Sequence, residues 1–235
     1  MKALQIRAGP RARRWLLEHG LRAQDVRVIP GAAGGPKGLV LNPLDRFLFG
    51  HWLSQAPQVV HLAGASIGAW RLACACLPDA HVDAALAQLA EDYVMQRYEH
   101  EPGRPPTPAV VSAAFGSKLQ ERLGTRAVEV LSHPSRRLHV FTSHGRHVLG
   151  REGRWRTPLG YAGAFAANMV ARRALGSWLE RVVFSDPRDA LPFSLDDFRS
   201  RLVGLEPGNL VPAILASCSI PFWLRAVHDI AQHTG

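Results

Sequence analysis

Gly64-Ala65-Ser66-Ile67-Gly68 sets a hydroxyl between two glycines in the spacing G-x-S-x-G, directly after the apolar run Val59-Val60-His61-Leu62-Ala63 and directly before an apolar helical stretch over 69–77. That context is what gives the pattern meaning. Glycines on either side of the serine allow a strand to turn sharply into a helix, because any side chain there would collide with the neighbouring elements. The serine is left at the strand's carboxyl end with a helix N-terminus behind it, whose partial positive charge favours a developing anion. The chemistry this suits is acyl transfer through a serine nucleophile. From the pentapeptide alone, a serine in an ordinary strand-to-helix turn remains the competing reading.

A second glycine-rich loop, Gly31-Ala32-Ala33-Gly34-Gly35-Pro36-Lys37-Gly38, follows a short β-branched run at Val26, Val28 and Ile29. A serine acyl-transfer site needs backbone N–H donors aimed at the oxyanion, and glycines let the backbone approach that closely. Gly34 and Gly35 fit this role. As a phosphate-binding loop the segment has the right length but the wrong residues: Pro36 removes an N–H where a glycine is required, and Gly38 stands where a hydroxyl would hold Mg²⁺. The spacing of Gly31, Gly34 and Gly38 also fails the dinucleotide pattern G-x-G-x-x-G.

The elements that must position these loops follow from periodicity. An amphipathic helix over 11–21 (Trp15, Leu16, Leu17, Leu21) precedes the first strand, and a helix over 39–53 follows its glycine loop. Further helices are expected over 81–98, 108–123, 162–179 and 207–219, the last capped near Asn209, with strands at 138–142 and 181–184. A proline-rich break at 101–106 is the best linker candidate. Two successive strand–loop–helix units imply parallel strands joined by crossover helices, hence an α/β sheet, mainly parallel, with helices on both faces.

Together the loop ending in Gly-Gly-Pro-Lys-Gly, the elbow at Gly64 to Gly68 about thirty residues later, and Ala216-Ser217-Cys218-Ser219-Ile220-Pro221-Phe222 resemble the patatin-like phospholipases from about Val26 to Pro221. The resemblance implies a three-layer α/β domain over 1–235 that hydrolyses lipid acyl esters with a Ser–Asp dyad. It implies Ser66 as nucleophile, Gly34 and Gly35 as the oxyanion hole, Lys37 and Gly38 as support of that loop, and Gly64 and Gly68 as the elbow. Two departures stand out. Ala33 replaces the first loop glycine, and Pro36 at the variable position donates no N–H. The dyad aspartate of the family lies in an Asp-Gly motif, and this sequence has no Asp-Gly; Asp229, close after Pro221 and followed by Ile230, does not match it. The chain is therefore expected to be incomplete at its C-terminus, or else to be a homologue lacking its base.

Histidine offers an alternative base, in the order Ser66, Asp186, then His228 or His233, as in α/β-hydrolase esterases. His139, His144 and His147 are expected on a strand–turn–strand pattern centred on Gly145, with polar side chains alternating outward. Cys74, Cys76 and Cys218 are too few and too sparse for a disulfide framework or a zinc site, so they read as reduced core residues, and neither metal nor organic cofactor is expected. The 28 basic residues against 19 acidic give a net charge of +9, yet all but Lys2, Lys37 and Lys118 are arginines scattered without a cationic block, which argues against nucleic acid as a partner. The substrate expected is a lipid or other acyl ester. A non-catalytic homologue that uses its positive charge to sit on acidic membranes is the reading from another class. Met1 to Arg7 contains no signal-peptide core and no uncharged run reaches the ~18 residues of a membrane span, so a cytoplasmic chain, peripheral to membrane at most, is expected.

Overall fold

Residues 7–231 are described by the computed structural model. Strand β1 (Val28–Gly31) pairs in parallel with β2 (Val60–Ala65), setting Gly31 beside Gly64. Strand β3 (Arg136–Gly145) lies parallel on the other side of β2, with Phe141 beside Ala65. Strand β4 (Leu179–Ser185) then runs antiparallel to β3, and β5 (Ser200–Gly204) pairs in parallel with β4. The order β1-β2-β3-β4-β5 thus makes a mainly parallel α/β sheet with one reversal. The carboxyl ends of β1, β2 and β3 lie together, where both glycine loops emerge.

Helix α1 (Pro10–His19) precedes the sheet and buries no residue. Helix α3 (Ile67–Ala75) is buried at every position, because it lies between the sheet and the helices outside it. Its one charge, Arg71, makes a two-pronged ion pair with Asp45 of α2 (Asn42–Phe47) at 2.6 and 2.7 Å, and both side chains are buried. One core joins α3 to Leu62, Leu138, Val140 and Phe184 on one sheet face, and to α4 (Asp79–Met95), α5 (Pro108–Leu119), α6 (Ala127–Ser132) and α8 (Leu210–Cys218). The proline-rich segment at 101–106 is a loop between α4 and α5, which share that core. Among the described residues no helix is long and apolar enough to cross a membrane.

Several elements differ from expectation for identifiable reasons. The helix expected over 39–53 is three pieces: a 3-10 segment Gly35–Leu41, then α2, then a π-helical turn Leu48–Trp52. Pro36 and Pro43 lack an N–H to continue a helix and each opens a new turn instead. The helix near 162–179 is α7 (Arg156–Val170) followed by a 3-10 segment Arg172–Ser177. No strand–turn–strand forms around Gly145: β3 runs without interruption to that residue, and a 3-10 turn His147–Gly150 follows. His139 does not point to solvent. It is fully buried, since β3 is the central strand of the sheet and both of its faces are covered. There its Nε2 lies 3.0 Å from Nδ1 of His61 and its Nδ1 lies 2.8 Å from Oγ of Ser185. On this second face His139 and Phe141 pack against Phe193, in the irregular segment 186–199, where a helix layer was expected.

Candidate active site

Ser66 is the single residue between the end of β2 and the start of α3, and its backbone adopts φ 56°, ψ −130°. Positive φ with this ψ is territory that only glycine enters freely, and an L residue held there stores about 1–3 kcal/mol of strain. Packing around it explains why the strain persists. A Cβ on Gly64 would lie 2.5 Å from the Ala69 Cα, and one on Gly68 would run into the Gly31 carbonyl oxygen. A Cβ on Gly31 would in turn lie 3.1 Å from the Gly68 Cα. Gly31, Gly64 and Gly68 therefore let the backbones of β1, β2 and α3 meet without side chains between them, and the chain has no room to relax at Ser66. Gly64 and Gly68 flank this turn, whereas Gly31 is an addition that the register of β1 against β2 reveals.

The Ser66 N–H donates to Oγ of Ser217 at 2.7 Å, and the Ser217 hydroxyl donates to the Phe141 carbonyl at 2.6 Å. One hydroxyl on α8 thus ties the ends of β2 and β3 together beneath Ser66. Burial pushes the thiol of the neighbouring Cys218 up to about 12, the Ser66 side chain offsetting this in part. Cys218 is consequently a neutral thiol near pH 7. Cys74 and Cys76 are likewise pushed up to about 12 by burial, and all three cysteines are free. Ser217 and Cys218 belong to the segment that carries part of the family resemblance, but nothing in residue type or spacing marks which of them touches the elbow.

The loop after β1 returns to the same place. Gly35 has φ 53°, a left-handed conformation that favours glycine, and the Lys37 N–H donates to the Gly34 carbonyl at 3.3 Å to close the turn. Lys37 supports the loop through this backbone bond, while its side chain is exposed. Gly38 lies against the first residue of α3, where a Cβ would come within 2.8 Å of the Ile67 Cγ2. Tyr93 of α4 sits beneath the loop, its hydroxyl 4.0 Å from where a Gly35 Cβ would be. A cleft of about 480 Å³ opens here, with Ala33, Ala65, Phe141, Tyr161, Ser217 and Pro221 among its walls.

The alternative triad is not assembled. Because β4 runs antiparallel to β3, its carboxyl end lies at the amino end of β3: the Asp186 N–H donates to the Leu138 carbonyl, whereas Ser66 adjoins the end of β2 opposite Phe141. Asp186 is buried there in an ion pair with Arg188 at 2.6 Å. His228 is exposed and lines a second cleft with Gly145 and Asp229, which shares Thr142, Ser143 and Ala216 with the first. His233 lies outside the described residues. Asp229 is exposed at φ 52° beside His228. Among the described residues no carboxylate or imidazole hydrogen-bonds Ser66, and no group of three or more His, Cys, Asp or Glu is placed to hold a metal ion.

Comparison of the chain with protein-family models, with curated proteins and with solved structures finds no match in any of the three.

Proposed function

We propose that the chain is a patatin-like serine hydrolase of lipid acyl esters, with Ser66 as the nucleophile. The observation that carries this reading is the strained backbone of Ser66 at φ 56° between glycines packed backbone to backbone. A serine in a plain turn has no reason to hold such a conformation, whereas a nucleophile gains an exposed hydroxyl at the end of a strand. In the reaction, Oγ of Ser66 bonds to the ester carbonyl carbon as its proton passes to the ester's alkoxy oxygen, the leaving group. The oxyanion is held by amides of the Gly34–Gly35 loop and by the N-terminal charge of α3, and the alcohol departs with a proton to leave acyl-Ser66. Water then attacks the acyl carbon, releasing the fatty acid and restoring the hydroxyl.

The cleft sets apolar walls (Ala33, Ala65, Phe141, Leu175, Leu179) against polar ones (Thr142, Ser143, Arg172, Arg181 and further serines), a mixture that suits an acyl chain ending in a polar ester. The described residues offer the nucleophile and a glycine loop but no base bonded to Ser66. The absence of such a partner typically costs ~10⁴-fold in turnover. The test is hydrolysis of a short-chain p-nitrophenyl ester by the chain and by Ser66→Ala. The proposal expects slow turnover that disappears in the variant; equal turnover by both removes Ser66 from the chemistry.

A further inference from the structure

Helix α7 presents a face that a water-soluble surface does not explain. Residues 157–171 contain no charged side chain. At helical spacing, Leu159, Ala162, Phe165, Ala166, Met169 and Val170 share one arc, and all six are exposed, Met169 by 74% and Val170 by 87% of their surface. The opposite side of the helix is the one that packs, through the buried Gly160 and Ala164. Trp155, at the helix start, is 73% exposed. The apolar surface continues beyond the helix: Tyr161 touches the ring of Phe222, centroids 6.1 Å apart, and Phe222 and Trp223 are themselves exposed.

Arginines bracket this surface at both ends. Arg151, Arg154 and Arg156 stand before the apolar run and Arg172 and Arg173 after it, all exposed. Glu152 is the acid among them, and its carboxylate already accepts the Ala226 N–H. We infer that α7 is a membrane-docking helix that lies in the interface of an anionic lipid surface, its apolar arc in the acyl region and its arginines on the headgroups.

Charge selects this occupant. A second copy seated face to face would bring two arginine clusters together, which like-charge repulsion opposes, and a nucleic acid would leave the apolar centre of the face without a partner. The length of the helix agrees with an in-plane position. Fifteen residues fall short of the ~20 that a span requires, and a neutral apolar face flanked by cations is the pattern of interfacial helices. Because Tyr161 and Arg172 also line the cleft beside Ser66, docking would set the mouth of that cleft against the lipid. The inference itself does not depend on catalysis and is tested in the Ser66→Ala background, so that it can fail or stand apart from the hydrolase reading.

The experiment is co-flotation with vesicles of phosphatidylcholine alone or with about one-third phosphatidylglycerol, at low and high salt. Binding to the anionic vesicles, weakened by salt, is expected. Arg172→Gln with Arg173→Gln should lower partitioning roughly thirtyfold, at about 1 kcal/mol per neutralised arginine. Phe165→Ser with Met169→Ser should lower it by at least about tenfold. All four positions are exposed, so the fold is expected to survive, and circular dichroism checks it. Absence of binding to anionic vesicles overturns the inference, as does full binding by folded Phe165→Ser, Met169→Ser protein. A monomer–dimer equilibrium abolished by the same apolar substitutions, without vesicle binding, would assign the face to a second copy and likewise overturn it.

Discussion

If the backbone at Ser66 is strained, glycine should be a better residue there than alanine, which inverts their usual order. Both Ser66→Gly and Ser66→Ala delete the hydroxyl, and both keep the N–H that donates to Ser217, so the loss of the hydroxyl cancels in the comparison. Alanine retains a Cβ and with it the strain of φ 56°, ψ −130°, about 1–3 kcal/mol. Glycine releases that strain but loses about 0.5–1 kcal/mol through the greater freedom of its unfolded chain. The glycine variant should therefore be more stable by about 1 kcal/mol (bounds of about 0 to 2.5), seen at the central value as a melting temperature higher by roughly 2–4 °C for a domain of this size. Urea denaturation with unchanged slope gives the difference directly. If Ser66→Ala is as stable as Ser66→Gly, or more so, the elbow is not strained and the argument for a nucleophile loses its physical basis.

Gly68→Ala should destabilise the chain by about 1–3 kcal/mol or more, because its Cβ meets the Gly31 backbone rather than a flexible side chain, and should lower Ser66 reactivity by moving α3 off β1. Denaturant midpoints and labelling rates check the two effects, and an unchanged midpoint would contradict the packing described. Asp45→Ala leaves Arg71 buried without its partner and should cost about 3–5 kcal/mol, whereas Asp45→Leu combined with Arg71→Met should recover most of it; a double variant no better than the single would show that the pair is not the cause. Burial, foremost among the causes, pushes His133 and His139 down to about 4, against 6.5 for the free side chain. Between those values the unfolded chain binds more protons than the folded one, so their contribution is complete above pH 6.5 and is lost as pH falls toward 4, by up to about 3 kcal/mol per histidine. Equal urea midpoints at pH 7 and pH 4.5 would refute it.

The part of the fold nearest the candidate chemistry was legible because its local signals agree with its tertiary setting. Strand β2 is an apolar run ending in a glycine, and α3 is apolar throughout because it is buried throughout. Where one residue type serves two settings, the pattern misleads. Strand β5 buries Val203 alone and leaves Leu202 exposed, too little periodicity to mark a strand at the sheet's edge. His139 follows the alternation of a half-exposed strand, yet the central position of β3 buries it and gives it His61 and Ser185 as partners. Asp186 stands in the chain order of a triad, but chain order carries no information on strand direction, and the reversal of β4 places it at the far end of β3. The role of Ser217 was hidden for a similar reason: it depends on where α8 crosses the ends of β2 and β3, a contact made across 151 residues of sequence.

The central claim is that Ser66 is the one serine prepared to form an acyl bond. It is tested most directly by treating the chain with a fluorophosphonate and locating the adduct by peptide mass spectrometry. The account predicts a single modified peptide carrying the phosphonyl group on Ser66, absent from Ser66→Gly. An adduct spread over several serines, or labelling of Ser66→Gly at the rate of the parent chain, would contradict it.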